Sequence, residues 1–349
     1  IKDTKLDYCL NLECLFLHLC SLFSFKVSDQ FSIKTEFDFS RIAMEQFAFQ
    51  FDQNQVYREY CQLLQISPGQ ITSYLEIPFL PIQLFKSRKV FCGSEDAEII
   101  FTSSGTTGQV PSSHHVKHVK IYEDSFLKSF RYFYGNPEQY CFLCLLPSYL
   151  ERSGSSLVYM AERLIELSKN AISGFFLHNH SELKITIDEL KHSGQKTILF
   201  GVTYALMDLA ECGVQLDDSF IVMETGGMKG NREELPKAAI HDYLKNKLGV
   251  STIHSEYGMT ELLSQAYSTA EGIFSCPPWM KVCIRDPYAP NEYLGHHKTG
   301  GINVIDLANI HSCSFIATQD LGRTFSEHQF ELAGRFNEAE LRGCNLLLS

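Results

Sequence analysis

From Phe101 onward the chain alternates short apolar runs with longer amphipathic ones. This is the sequence form of a mainly parallel sheet flanked by helices, because each buried strand needs a crossover that covers a sheet face. The pattern predicts strands at 97–102, 140–146, 172–177, 196–200, 219–224 and 251–256. Helices are predicted between them at 122–134, 155–169, 181–193, 203–212 and 232–247. After Cys276 the text changes: 280–285, 301–306, 312–318 and 327–333 read as short strands with few helices, a smaller β-rich subdomain. Ligands of open α/β sheets bind beyond the carboxyl ends of strands. The loops 103–108, 225–230 and 257–261 each follow a predicted strand and can therefore share one crevice.

The first of these loops is Ser103-Ser104-Gly105-Thr106-Thr107-Gly108. Its glycines allow close backbone approach to a polyanion, and its main-chain N–H groups and hydroxyls supply donors without bulk. It is not a Walker A loop, since Gln109-Val110-Pro111-Ser112 follows Gly108 and no lysine is in place. The second segment is Ser255-Glu256-Tyr257-Gly258-Met259-Thr260-Glu261, and a third is Glu224-Thr225-Gly226-Gly227-Met228-Lys229-Gly230.

Composition narrows the class. With 349 residues, 44% of them hydrophobic, the chain can bury a substantial core in one large domain or two. A net charge of −11 argues against a nucleic-acid surface, which needs clustered Lys and Arg. The local exception, His114-His115-Val116-Lys117-His118-Val119-Lys120, reads either as a solvated loop or as a screen for triphosphate charge. Twelve cysteines without paired zinc spacing indicate neither a disulfide scaffold nor a zinc site, and point to a reducing cytoplasm. Cys141 and Cys144 sit in one apolar run whose alternation sends them to opposite faces of a strand. No run reaches the roughly 18 apolar residues of a membrane span. Leu10 to Phe25 comes nearest but carries Glu13 and His18 and lacks a signal-peptide layout.

SSGTTG followed by YGMTE resembles the adenylate-forming superfamily, as do Thr318-Gln319-Asp320-Leu321-Gly322-Arg323 and Gly334-Arg335-Phe336 farther on. Within it the chain resembles the acyl-protein synthetases of the LuxE type from about residue 70 to the end. Ile77-Pro78-Phe79-Leu80-Pro81-Ile82, Leu146-Pro147-Ser148-Tyr149-Leu150-Glu151-Arg152 and Glu340-Leu341-Arg342-Gly343-Cys344-Asn345 carry that narrower likeness. The implied fold is the N-terminal-domain type of an adenylate-forming enzyme, without the superfamily's mobile C-terminal domain. Because the family-like text begins only after Met44, residues 1–43 are expected to be a non-native or disordered extension. Residues 44–275 would form the α/β core, and 276–349 the β-rich subdomain with a short tail.

The resemblance implies an AMP-forming acid–thiol ligase that activates a fatty acid with ATP and Mg²⁺ and carries the acyl group on its own cysteine. Such an enzyme mainly positions substrates and offsets moving negative charge. Residues 103–108 would hold the β- and γ-phosphates, Thr260 the α-phosphate and Glu261 the Mg²⁺. Glu261 can equally be a carboxylate at a helix start. Tyr257 would pack beside the adenine, with Gly226, Gly227 and Gly258 allowing close backbone approach. Asp320 would take the ribose hydroxyls and Arg335 the ribose or a phosphate, unless Arg335 merely pairs with Glu338 or Glu340. Lys229, or else Lys117, would replace the charge of the lysine that relatives carry in their missing domain. Cys344 would attack acyl-AMP and store the acyl group as a thioester, or else be a buried structural cysteine. An acyl reductase, a carrier protein or coenzyme A would be the acceptor. The competing readings are a ligase that releases its product to coenzyme A or a carrier protein, and a catalytically degenerate nucleotide-binding module.

Overall fold

The computed structural model describes residues 29–104, 110–147, 151–226 and 236–336. Its helices are α1 (Glu36–Gln53), α2 (Gln55–Leu63), α3 (Leu84–Ser87), α4 (Val119–Tyr134), α5 (Ser156–Ser168), α6 (His180–Ser193), α7 (Thr203–Glu211) and α8 (Lys237–Leu248). The first strands are β1 (Leu80–Pro81), β2 (Ile99–Thr102), β3 (Ser113–Val116), β4 (Cys141–Leu145), β5 (Gly174–Phe175), β6 (Thr197–Val202) and β7 (Phe220–Thr225). They are followed by β8 (His254–Tyr257), β9 (Ala266–Ser268), β10 (Ile273–Ser275), β11 (Met280–Arg285), β12 (Gly300–Asp306), β13 (Phe315–Thr324) and β14 (Gln329–Arg335).

One twelve-stranded sheet runs β5-β4-β6-β7-β8-β9-β10-β14-β13-β12-β11, with β1 beside β13. The β5–β8 portion is parallel, and along the path from β8 to β11 every pairing is antiparallel, while β1 lies parallel beside β13. The predicted parallel core and β-rich region are thus halves of one hydrogen-bonded surface. The expected boundary at 275/276 falls at the end of β10, which pairs with β14. Alternation in β4 places Cys141 in the apolar layer under α6, α7 and α8, and Cys144 in the layer on the other face, with α4 and α5.

Two expectations are corrected. The predicted strand 97–102 does not enter the main sheet: β2 pairs only with β3, as an antiparallel hairpin. The Ser/Thr/Gly segment therefore connects two strands of a hairpin, and the polar Ser113-His114-His115 text hid the second strand.

The expected break after residue 43 falls inside α1. Thr35 and Asp38 cap that helix reciprocally, and Phe39, Ile42 and Ala43 are fully buried in the core shared with β12 and β13. Residues 36–43 are therefore part of the folded body, while residues 1–28 of the predicted extension lie outside the described residues. The helix also buries two glutamines. Gln46 Nε2 donates to the Leu307 carbonyl at 2.8 Å, and Gln50 Nε2 donates to the Asn309 and Ile310 carbonyls, each at 3.0 Å. Lys281 of β11 pairs with Glu36 at its first turn.

Burial of Phe39 and Ile42 contributes roughly 1.5–3 kcal/mol each, and the cap about 1 kcal/mol. A chain starting at Met44 is therefore expected to melt about 10 °C below the full chain, or to be insoluble, when followed by circular dichroism. An unchanged melting temperature would return the start of the fold to Met44.

Candidate active site

The antiparallel half brings three of the predicted residues together. Tyr257 ends β8, and its hydroxyl donates to Asp320 Oδ2 at 3.0 Å. Arg335 is the register partner of Asp320 across β13 and β14, and its Nε donates to Asp320 Oδ1 at 2.8 Å. The Tyr257 ring is buried against Phe274 and Phe330, and burial together with the Asp320 charge pushes its phenol well up, so it stays a donor. Arg335 itself is exposed. Among the described residues its partner is Asp320; Glu338 and Glu340 lie outside them.

Arg285 supports this corner from below. It donates to the Ile302 carbonyl and to Asn303 Oδ1, each at 2.7 Å, and to the Thr318 carbonyl at 2.5 Å. A Cβ on Gly301 would stand 2.6 Å from its Cζ, so a side chain there would displace it. Its guanidinium lies 5.4 Å from the ring of Phe336, the residue after Arg335.

The Thr260–Glu261 turn is held by its backbone. His114 Nδ1 donates to the Thr260 carbonyl at 2.8 Å, and Asn309 Nδ2 donates to the Glu261 carbonyl at 2.8 Å. The two braces touch, with His114 Nε2 at 3.0 Å from Asn309 Oδ1. Just beyond, Asp306 accepts from the Leu263 and Ser264 N–H groups at 2.7 and 3.0 Å. The Glu261 carboxyl is left for other duties. It is buried, and desolvation raises its pKa; a Ser112 hydrogen bond and the charges of Arg335 and Lys86 oppose the rise without cancelling it.

Ser112 also closes the mouth of the predicted phosphate loop. Ser112 N–H donates to Ser103 Oγ at 2.9 Å, and Ser103 N–H donates to the Ser112 carbonyl at 3.1 Å. The ends of that loop therefore sit beside Glu261. Gly226 follows β7 with φ of +74°, a left-handed conformation that favours glycine. Thr203 ties it to the sheet by donating to its carbonyl at 3.4 Å and to Glu224 Oε2 at 3.0 Å. Gly105, Thr106, Thr107, Gly108, Gly227, Lys229 and Cys344 lie outside the described residues. Lys117, the alternative cation, pairs with Glu95.

His114, Asn309, Asp306, Ser112 and Arg285 were not singled out from the sequence. His114 alone left a trace, in the histidine cluster read as a loop or a charge screen. Burial lowers its pKa to about 4, so the ring is neutral in the fold. An unfolded imidazole takes its proton near pH 6.5, so the contribution of His114 is complete above that pH and is lost as pH falls towards 4. His114→Asn should therefore lose less stability than the parent chain between pH 7 and 4.5 in urea denaturation. Equal losses would show that His114 does not titrate this way.

The comparisons with known proteins give the fold and the family. No curated protein matches at a significant level. Among solved structures, the chain is similar to a 2-hydroxyisobutyryl-CoA ligase in an open conformation in complex with 2-HIB-AMP and CoA. That likeness has 14% identity and a TM-score of 0.61, covering 85% of this chain and 74% of that one. The same ligase in the postadenylation state gives 11% identity and a TM-score of 0.65, over 86% and 68%. ATP-bound MatB from Rhodopseudomonas palustris gives 19% identity and a TM-score of 0.50 over 70% of this chain, which spans about half of MatB at 49%. These likenesses show the fold, an adenylate-forming enzyme domain. The family described as acyl-protein synthetase, LuxE, matches residues 27–349, so the chain belongs to the LuxE acyl-protein synthetase family.

Proposed function

We propose that this protein activates a fatty acid with ATP and Mg²⁺ to acyl-AMP and then takes the acyl group onto Cys344. Family and fold together support acyl activation through an acyl-AMP. The observation that best supports the nucleotide site is the Tyr257–Asp320–Arg335 cluster beside the braced Thr260–Glu261 turn.

In the first step a carboxylate oxygen of the acid attacks the α-phosphorus, the bond to the bridging oxygen breaks, and pyrophosphate leaves with the electron pair. The residues 103–108 would donate to the departing β- and γ-phosphates, and Thr260 to the α-phosphate. Asp320 accepts one hydrogen bond on each oxygen from the protein and keeps lone pairs for the ribose hydroxyls. Arg335, exposed and fixed by Asp320, would offset charge at the ribose or phosphate.

A buried, incompletely compensated carboxyl beside a phosphate loop fits Mg²⁺, which takes one or two carboxylates together with substrate phosphates. Glu261 would hold it, and bound there it would neutralise developing phosphate charge.

In the second step the Cys344 thiolate attacks the acyl carbonyl and AMP leaves. Cys344 lies eight residue steps beyond Phe336, a span of at most roughly 26–29 Å, and Phe336 begins at the Asp320–Arg335 corner. The thiol is thus within reach of the site. Among the described residues the competing thiols are weak candidates: burial raises the pKa of Cys61, Cys92, Cys141, Cys144, Cys276, Cys283 and Cys313. Exposed Cys212 lies at the far end of α7, about 14 Å along the helix from the carboxyl end of β6. Lys229 remains the proposed substitute cation. An acyl reductase or carrier protein would receive the acyl group in turn.

A second reading, direct release to coenzyme A, is favoured by the ligase fold seen with CoA. Carboxylate-dependent exchange of pyrophosphate into ATP should require Mg²⁺ and fall at least about a hundredfold in Glu261→Ala. Full exchange in that variant would remove Glu261 from the metal site. Cys344→Ser should keep exchange but fail to gain a hydroxylamine-sensitive acyl mass in intact-protein mass spectrometry. A labile acyl mass retained by the variant would move the carrier to another cysteine. Acyl-CoA formation without any acyl-protein in the parent chain would establish the second reading.

A further inference from the structure

The carboxyl group of Glu256 has no part in the steps above, yet it lies under the turn that carries Tyr257, Gly258 and Thr260. It is 5% exposed. Thr225, its register partner on β7, donates its hydroxyl hydrogen to Oε2. The other oxygen, Oε1, fills the space in which a Cβ on Gly258 would stand, with Gln265 Cγ at 3.4 Å on the next side. Gly258 has no left-handed φ, so what excludes a side chain there is occupied space and not backbone conformation.

We propose that Glu256 is a positioning residue for the nucleotide: its carboxyl group is the floor on which the Tyr257–Thr260 turn rests, pinned from the neighbouring strand by Thr225. The inference rests on the adenylation reading, because it assigns that turn to ATP. Moving Oε1 aside would break the Thr225 hydrogen bond inside a filled core, so the floor is stiff.

The surroundings make the floor sensitive to charge. Glu224, the residue before Thr225 on β7 and the register partner of Ser255 on the opposite face of the sheet, is kept ionised, its pKa lowered to about 2 by His241, Lys237 and Ser255 against the opposing effect of burial. Lys237 of α8 pairs with Glu224, and Ser255 donates to Glu224 at 2.5 Å. Tyr267, the register partner of Glu256 on β9, and Tyr122 and Tyr134 of α4 lie on the Glu256 side of the sheet, each kept neutral by burial. His254, two residues back on β8, is lowered to about 4 and is also neutral above pH 6. Burial, then the Glu224 charge, raises Glu256 to about 7 against the Thr225 hydrogen bond and Lys237. Below pH 7 the floor is a neutral acid. Above it, a second negative charge develops beneath a turn that must receive a polyphosphate.

Binding of Mg²⁺–ATP, measured by titration calorimetry in the absence of acid, tests this separately from catalysis. Gly258→Ala should weaken ATP at least about tenfold in the parent chain, whereas in a Glu256→Ala background, itself weakened by loss of the floor, the same substitution should cost less than about threefold. Equal weakening in both backgrounds, or none in either, overturns the proposal. Glu256→Gln keeps the shape without the charge. The parent chain should lose about five- to tenfold in ATP affinity between pH 6.5 and 8.5, and Glu256→Gln should stay flat; parallel profiles overturn it. A parent chain that binds ATP but exchanges no pyrophosphate with any acid instead refutes the adenylation reading and leaves the floor standing.

Discussion

A buried carboxylate, Asp306, is the anchor on which the segment after the Thr260–Glu261 turn depends. Its oxygens accept from Leu263 N–H, Ser264 N–H, Ala308 N–H and the Ser264 hydroxyl. Desolvation raises its pKa, and these four donors hold the rise in check. Removing any donor would leave a buried acceptor unsatisfied at a cost of about 1–3 kcal/mol. The network extends outward through Ser264 to the Trp279 indole and Ser125 of α4. Through the 306–314 turn it reaches Asn309 and the glutamines of α1. The N-terminal helix thus supports the Glu261 backbone although it is far away in sequence.

The molecule has a net charge of −11 and a proposed substrate that is itself a polyanion. The structure meets that conflict locally. Its buried acids near the site are held by hydrogen bonds or burial: Glu224 by Lys237, Ser255 and Thr203, Glu256 by Thr225, and Asp320 by Tyr257 and Arg335. Glu256 and Glu261 have no cation in hydrogen-bond contact among the described residues, and of the two it is Glu261 that shares Ser112 with the ends of the 103–112 segment, which is why it is the one proposed to hold the metal ion.

Much of the fold was legible. The predicted strands and helices from 140 to 256 match β4–β8 and α5–α8 within a few residues, because buried parallel strands and amphipathic crossovers leave strong periodic signals. The three short strands β3, β9 and β10 left none: each has three or four residues, and β3 is mostly Ser and His. The α1 helix straddles Met44, where the family-like motifs begin, so motif text leaves its first half out, although its Phe39, Ile42 and Phe47 spacing is helical and the family match starts at residue 27.

The candidate site divides in the same way. Motif text alone marked Tyr257, Thr260, Glu261, Asp320 and Arg335, because their residue types and local order match the family's motifs. It could not mark His114, Asn309 or Glu256, which act on the backbone of the motif or in the space beneath it. Their pairings span 146, 195 and 48 residues in the His114–Thr260, His114–Asn309 and Asn309–Glu261 contacts. Local sequence determined which segments became strands, helices and ligand loops. Only the tertiary structure decided which buried polar group would satisfy which distant backbone atom, since a hydrogen bond across the core depends on where two segments meet and not on the residues beside either one.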